Sequence, residues 1–118
     1  MVPKSFSIKN WSEDEQPREK LRDKGSRFLS DAELIAILIG SGTVQESAVD
    51  LSKRILSSVQ HDLQGLGQLT IAQLMMFKGI GEAKAVKIRA AMELSRRRRE
   101  APLKRLNKIN SSLSVFEL

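Results

Sequence analysis

The sequence predicts an all-helical domain, a compact bundle of about five short helices. Three observations carry that expectation. Two capping boxes, Ser30-Asp31-Ala32-Glu33 and Thr70-Ile71-Ala72-Gln73, mark helix starts at which paired side chains satisfy orphan backbone N–H groups reciprocally. Small and apolar residues recur at spacings of three and four, as in Ala85, Ile88, Ala91 or Met92, and Ser95. No stretch before residue 106 alternates with period two between turn residues, so no strand is expected there.

The first dozen residues, with Phe6, Ile8 and Trp11, read as an extended arm. Trp11 is the only tryptophan; it suits stacking on a base or packing onto the helices, and packing hides the larger apolar area. Pro17-Arg18-Glu19-Lys20-Leu21 opens a short helix with Pro at its first position, and Gly25 follows its end. The helix opened by Ser30, Asp31–Ile39, is apolar nearly all round, which marks it as the central core helix. Gly40-Ser41-Gly42-Thr43 breaks it. Ser47 caps a third helix, from Ala48 to about Ser58. Val59 to Gly67 reads as loop with one helical turn near Leu63. Thr70 opens a helix through Leu74, Met75 and Met76; after the Phe77–Gly81 connection the last helix runs from Glu82 to about Arg99, and Pro102 stops it. In the tail, Lys108-Ile109 suits an extended segment, and Ser111 or Ser112 suits the cap of a helix from Leu113. The organisation expected is an arm over 1–16, a helical domain over 17–100, and over 101–118 a linker leading into a further domain.

Composition narrows the chemistry. The chain has 118 residues, 20 Lys+Arg against 14 Asp+Glu, one histidine and no cysteine. Without cysteine there is no disulfide framework, thiolate zinc site or cysteine nucleophile, and His61 alone cannot build a multi-histidine metal site. His61 is expected as an exposed loop residue. The longest apolar run, Leu34–Ile39, falls far short of the ~18–20 residues that cross a bilayer, and Met1-Val2-Pro3-Lys4 opens no secretion signal. A soluble, cytoplasmic protein without membrane partners is expected. The positive charge is uneven: residues 78–108 carry 11 basic side chains against 3 acidic ones, including the run Arg96 to Arg99. Such asymmetry suits a polyanion, although arginines in a last helical turn also complement the helix dipole.

The stretch from Leu74 to Ile88 has the pattern of a helix-hairpin-helix motif: an apolar helix, the hairpin Gly79-Ile80-Gly81, then a helix with the small residue Ala85 four positions after the second glycine. Gly79 and Gly81 permit positive φ and let the backbone approach a ligand without a Cβ in the way. Ile80 plugs the hairpin into the core, and Ala85 lets the two helices cross closely. The free N–H groups expected at Gly79, Gly81 and Ala83 form an anion site at the positive end of a helix, with charge added by Lys84 and Lys87. Backbone donors meet phosphates rather than base edges, so such binding is sequence-independent and salt-sensitive. The bland alternative is a tight turn between two packing helices. Ile37-Leu38-Ile39-Gly40-Ser41-Gly42, followed by Ala48-Val49-Asp50-Leu51, reads as a degenerate second copy, with Ser41 at the apolar position and a longer gap to the alanine.

Ile8-Lys9-Asn10-Trp11, Pro17 to Leu21, Leu29 to Leu38, Ser47 to Leu51 and Lys78 to Gly81 together resemble the N-terminal region of bacterial RadC proteins. Gln16 departs from the Arg that often precedes Pro in that family. The resemblance implies a DNA-repair-associated protein whose helical N-terminal domain carries a helix-hairpin-helix. It also implies a C-terminal JAB/MPN-type domain with a His-x-His and Asp zinc site; the sequence ends where the connector into it would begin. Similarity to other helix-hairpin-helix proteins implies that the carbonyls of Met75, Phe77 and Ile80 would hold a monovalent cation, K⁺ or Na⁺, bridging to a phosphate.

Three functions from different classes follow. The first is a DNA-binding module for duplex or branched DNA without sequence preference, using Gly79, Ile80, Gly81, Ala83, Lys84, Lys87, Arg96, Arg97, Arg98 and Arg99. The second is a docking or dimerisation domain for the protein's own C-terminal half. The third, an enzyme, has no nucleophile–base pair to support it, so no catalysis is expected of this chain and no cofactor beyond the cation.

Overall fold

A computed structural model describes the backbone of residues 2–102 and, from residue 12 onward, the side chains. The helices are α1 Val2–Lys24, α2 Asp31–Ile39, α3 Ala48–Ser58, α4 Leu63–Gln68, α5 Ile71–Met75 and α6 Glu82–Glu100, with a 3₁₀ turn at Ser26–Phe28. Among the described residues there is no strand, and the all-helical expectation holds.

Side-chain caps start α2, α3 and α5 where the sequence placed them, and α4 has a cap not expected from the sequence. Ser30 Oγ accepts from Glu33 N at 3.1 Å while Glu33 Oε1 accepts from Ser30 N at 2.7 Å. The Thr70–Gln73 pair repeats the exchange at 3.0 and 2.9 Å. Ser47 accepts from Asp50 N at 3.2 Å to open α3, and Asp62 accepts from Gln64 N at 3.0 Å to open α4. Each such cap stabilises its helix by about 1 kcal/mol.

The core lies between these helices. Leu51 and Ile55 of α3, Leu66 of α4, Leu74 of α5 and Ile88 of α6 are fully enclosed, and α2 adds Ala32, Ile35, Ala36 and Ile39. Because α2 packs against α1, α3 and α6, it holds the central place expected of it. Its outer edge is not enclosed, and Leu34 faces solvent.

Three expectations are corrected. The segment read as an extended arm is helical, so Pro17 lies inside α1 rather than at its first position; Gly25 does follow the helix end, with φ 100°. An interior proline removes an N–H and crowds the preceding turn, costing about 3 kcal/mol. Here tertiary contacts override that cost: Pro17 is buried, and Asp14, on the N-terminal side of it, is bonded to α3 and the loop before α3. The stretch Val59 to Gly67 is not mostly loop, since α4 spans six residues and buries Leu66 despite two glycines. Finally, Ser95 is exposed: the inward stripe of α6 ends at the half-buried Met92. Beyond Met92 the helix carries its own support, with Arg96 paired to Glu93 and Glu100 and Arg97 paired to Glu93. The Trp11 side chain and the tail elements expected in 106–118 lie outside the described residues.

Leu51 is fully enclosed in the core, so Leu51→Ala should lower stability by about 2–5 kcal/mol, the cost of an enclosed leucine cavity. Urea unfolding followed by circular dichroism should show an earlier midpoint with an unchanged slope.

Candidate nucleic-acid interface

The two glycine turns of the chain meet in space. Gly79 has φ +98°, and a Cβ built there would come within 3.0 Å of Thr43 Cγ2 and 3.1 Å of Leu51 Cδ2. The positive φ is what favours glycine here, and a Cβ would in addition push the Thr43 and Leu51 methyls aside. Lys84 Nζ fastens the pair, donating to Ser41 O at 2.8 Å and reaching Gly79 O at 3.4 Å. Arg54 of α3 braces the same region. It donates to Lys78 O at 3.1 Å, pairs with Glu46 at 2.8 Å, and stands 5.9 Å from the centroid of the Phe77 ring.

At the first turn the backbone donors are already taken by the chain itself. Asp14 of α1, only 6% exposed, accepts from Gly42 N at 2.9 Å and from Ala48 N at 2.7 Å. Gly42 has no space for a side chain, because a Cβ would collide with the Glu46 carbonyl. The degenerate hairpin is thus a structural turn whose anion is an internal carboxylate.

The second turn has no such partner. Gly81 adopts φ −95° and ψ −171°, so the positive φ expected of it is absent and any residue could adopt its backbone. A Cβ there would meet nothing within 4 Å. What Gly81 contributes is a missing side chain: α2 to α5 each have a side-chain cap, and α6 has none. The first bond of α6 is Ala85 N to Gly81 O at 3.0 Å, which leaves the amides of Glu82, Ala83 and Lys84 without an intrahelical acceptor. The N–H groups of Gly79 and Gly81 likewise have no partner among the described residues. These donors carry the positive end of a 19-residue helix.

The remaining site residues divide by position. Ile80 is 4% exposed and its N–H donates to Phe77 O at 3.0 Å, so it anchors the turn; Ala85 is fully buried, as a close helix crossing requires. Ala83 and Lys87 are exposed, and Lys87 has no ion pair among the described residues. Lys84 is half-buried on carbonyl oxygens, and burial holds its ammonium below the usual lysine pKa; the charge of Asp14 opposes that shift and Lys87 adds to it. Arg96 and Arg97 are committed to Glu93 and Glu100, whereas Arg98 and Arg99 are exposed with no ion pair among the described residues. Of the carbonyls at Met75, Phe77 and Ile80, that of Phe77 accepts the Ile80 N–H, and a fixed cation, the Lys84 ammonium, lies by the adjacent Gly79 carbonyl. His61 is exposed. Among the described residues no cluster of three acidic or histidine side chains could hold a metal ion, and no helix is long and apolar enough to cross a membrane.

Sequence reasoning missed Asp14 and Arg54. Asp14 sits in the charged run Ser12-Glu13-Asp14-Glu15, where nothing local separates it from its neighbours. Its partners lie 28 and 34 residues away, and those of Arg54 lie 8 and 24 away.

Fold and geometry together define a small all-helical domain that presents one uncapped helix N-terminus beside a tightly packed glycine turn. The chain belongs to the UPF0758 family: residues 8–86 match the family model described as UPF0758 N-terminal. It is similar to the UPF0758 protein of Flavobacterium johnsoniae, 58% identical over 96% of this chain and 49% of the relative. The UPF0758 proteins of Porphyromonas gingivalis (44% identical) and Trichlorobacter lovleyi (40% identical) each match 94% of this chain and 49% of their own length. The chain therefore spans about half the length of these curated relatives. No solved structure matches it. The resemblance to the RadC N-terminal region is borne out at the level of the family.

Asp14→Ala should leave two amides without an acceptor and cost about 1.5–3 kcal/mol, the range for hydrogen bonds to a charged group; thermal unfolding measures it. Acid should also weaken the fold. The Ser30 N–H and Lys20 hold Glu33 below the ordinary carboxylate pKa, and Arg96 and Arg97 hold Glu93 at about 2. In that window the unfolded chain binds more protons than the native one, so stability rises with pH. A pH series of melting temperatures should be level above the normal carboxylate range, near 4.5, and fall as pH drops toward about 2.

Proposed function

We propose that this domain binds DNA without sequence preference, taking a backbone phosphate on the open amides between Gly79 and Lys84. The single observation that carries the reading is the uncapped start of α6 in a protein whose other turn of the same kind is filled by its own carboxylate. Helix N-termini with free amides and nearby cations suit phosphate, and amides carry no information about bases. Lys87 adds charge at the site, while Lys84 holds the turn in shape. Arg98 and Arg99 lie on the order of 24 Å further along α6 at 1.5 Å per residue, and they reach a second stretch of the same backbone. The net charge of +6 supports a polyanionic partner. In this reading the chain is the non-catalytic, cytoplasmic N-terminal module of a RadC-like, DNA-repair-associated protein, and a K⁺ or Na⁺ ion at the hairpin carbonyls would bridge to the phosphate.

A second reading, docking onto the protein's own C-terminal half, has one specific support. Val86, Ala90 and Leu94 are all exposed at intervals of four along α6, and Leu94 is 68% exposed.

Fluorescence anisotropy with a labelled duplex at two salt concentrations separates the two. Parent protein should bind with Kd of roughly 10⁻⁴–10⁻⁶ M, and log K should fall by about 0.9 per neutralised phosphate against log salt. Gly81→Asp is the sharpest variant. Its carboxylate can cap α6 from within, so melting should rise by a few tenths of a kcal/mol while DNA affinity falls at least about tenfold. Lys87→Glu should also weaken binding and flatten the salt slope. Unchanged binding by Gly81→Asp overturns the reading; salt-independent association with a relative's C-terminal half, without DNA binding, favours the second.

A further inference from the structure

We infer that the apolar tip beside the hairpin reads disrupted base stacking, so that the domain prefers duplex DNA with a one-nucleotide gap over intact duplex. The inference rests on the DNA-binding reading above and adds to it the kind of DNA that the site selects.

Met76 is 83% exposed, more than any other large apolar residue among the described ones, and Met75 is 44% exposed. Ile71, four residues before Met75 on the same face of α5, is exposed as well. The fold does not need these side chains. The inner face of α5 is completed by Leu74, and Phe77 is covered by the Arg54 guanidinium. They are tied to the phosphate site by chain length: the three residues from Met76 to Gly79 span at most about 11 Å, roughly the rise of three base pairs along the helix axis.

The frame around the tip is basic. Lys78 follows Met76 by two residues, Lys87 stands in the second turn of α6, and both are exposed with no ion pair among the described residues. A partner that complements apolar side chains next to free cations and free amides must join negative charge to apolar faces. DNA does so, but in an intact duplex the base faces are covered by their neighbours. A gap uncovers them.

Methionine suits such a contact, being unbranched, polarizable and able to adapt to an irregular surface. Apolar side chains of this type enter between base steps in proteins that bend or kink DNA, at the cost of breaking the stack. Where a nucleotide is missing the stack is already broken, and the same contact forms without that cost. Selectivity then comes from the DNA's own stacking, consistent with amide donors that ignore sequence.

The test uses anisotropy with an intact duplex and the same duplex lacking one internal nucleotide, for parent protein, Met76→Gln and the double variant Ile71→Gln/Met76→Gln. Parent protein should bind the gapped duplex about four- to fifteenfold more tightly, a margin set by burying one or two methylene equivalents. The variants should bind intact duplex within about twofold of parent while losing the preference. These side chains are exposed, and unchanged melting confirms that the variants fold. Equal binding of both duplexes by the parent overturns the inference and leaves the phosphate site standing. Failure of the parent to bind either duplex overturns the underlying reading instead. Concentration-dependent dimerisation abolished by Met76→Gln would assign the tip to a second copy of the chain and would also overturn the inference.

Discussion

One buried carboxylate sets the arrangement on which the rest depends. Asp14 reaches from α1 to the amides of Gly42 and Ala48, and so fixes three segments at once: α1, the loop after α2, and the start of α3. A carboxylate taken out of water is costly unless its oxygens accept strong hydrogen bonds, and both oxygens do so here. The charge of Asp14 also favours the Lys84 ammonium. Lys84 in turn bridges the carbonyls of Ser41 and Gly79. A continuous polar path thus runs from α1 through both glycine turns to the first turns of α6.

That path makes two turns of similar sequence chemically different. Gly40-Ser41-Gly42 and Gly79-Ile80-Gly81 both leave backbone donors at the start of a helix, and electrostatics alone would favour an anion at either. At the first, α1 delivers the anion intramolecularly, and Ser47 caps α3 as well. At the second, no acidic side chain among the described residues accepts from the amides, and Gly81 offers none. One turn is spent on stability, while the other keeps its donors available at the surface. The buried Ile80 is what allows this, since it holds the turn rigid from beneath without covering the amides above.

The last helix divides in the same way. Up to Met92 its inner face completes the core through Ala85 and Ile88; beyond that its helical form rests on pairs made within the helix itself. Exposed pairs of this kind contribute little to global stability, so the projecting end is held mainly by continuity with the packed end. The arginine run is less uniform than its sequence suggests. Glu93 and Glu100 neutralise Arg96 and Arg97, and the charge facing solvent is concentrated at Arg98 and Arg99 together with Lys78 and Lys87.

What the sequence determined by itself is everything that depends on residues three or four apart. The two capping boxes, the starts of α2 and α3 and the burial of Ala85 follow from such spacing, because a helix brings those neighbours together whatever surrounds it. The burial of Ile80 and the basic character of α6 were legible in the hairpin pattern and the composition. Only the tertiary structure decided the rest. It carried α1 through Pro17, converted the glycine-rich stretch 63–68 into α4 by burying Leu66, and exposed Ser95 where the core ends. It also gave Asp14 its seat and turned Lys84 from a free cation into a strut. Those outcomes rest on partners 28, 34 and 43 residues away. Hydrogen bonds at that separation form only after the helices have packed, and no local pattern records which acid or which lysine the packing will select.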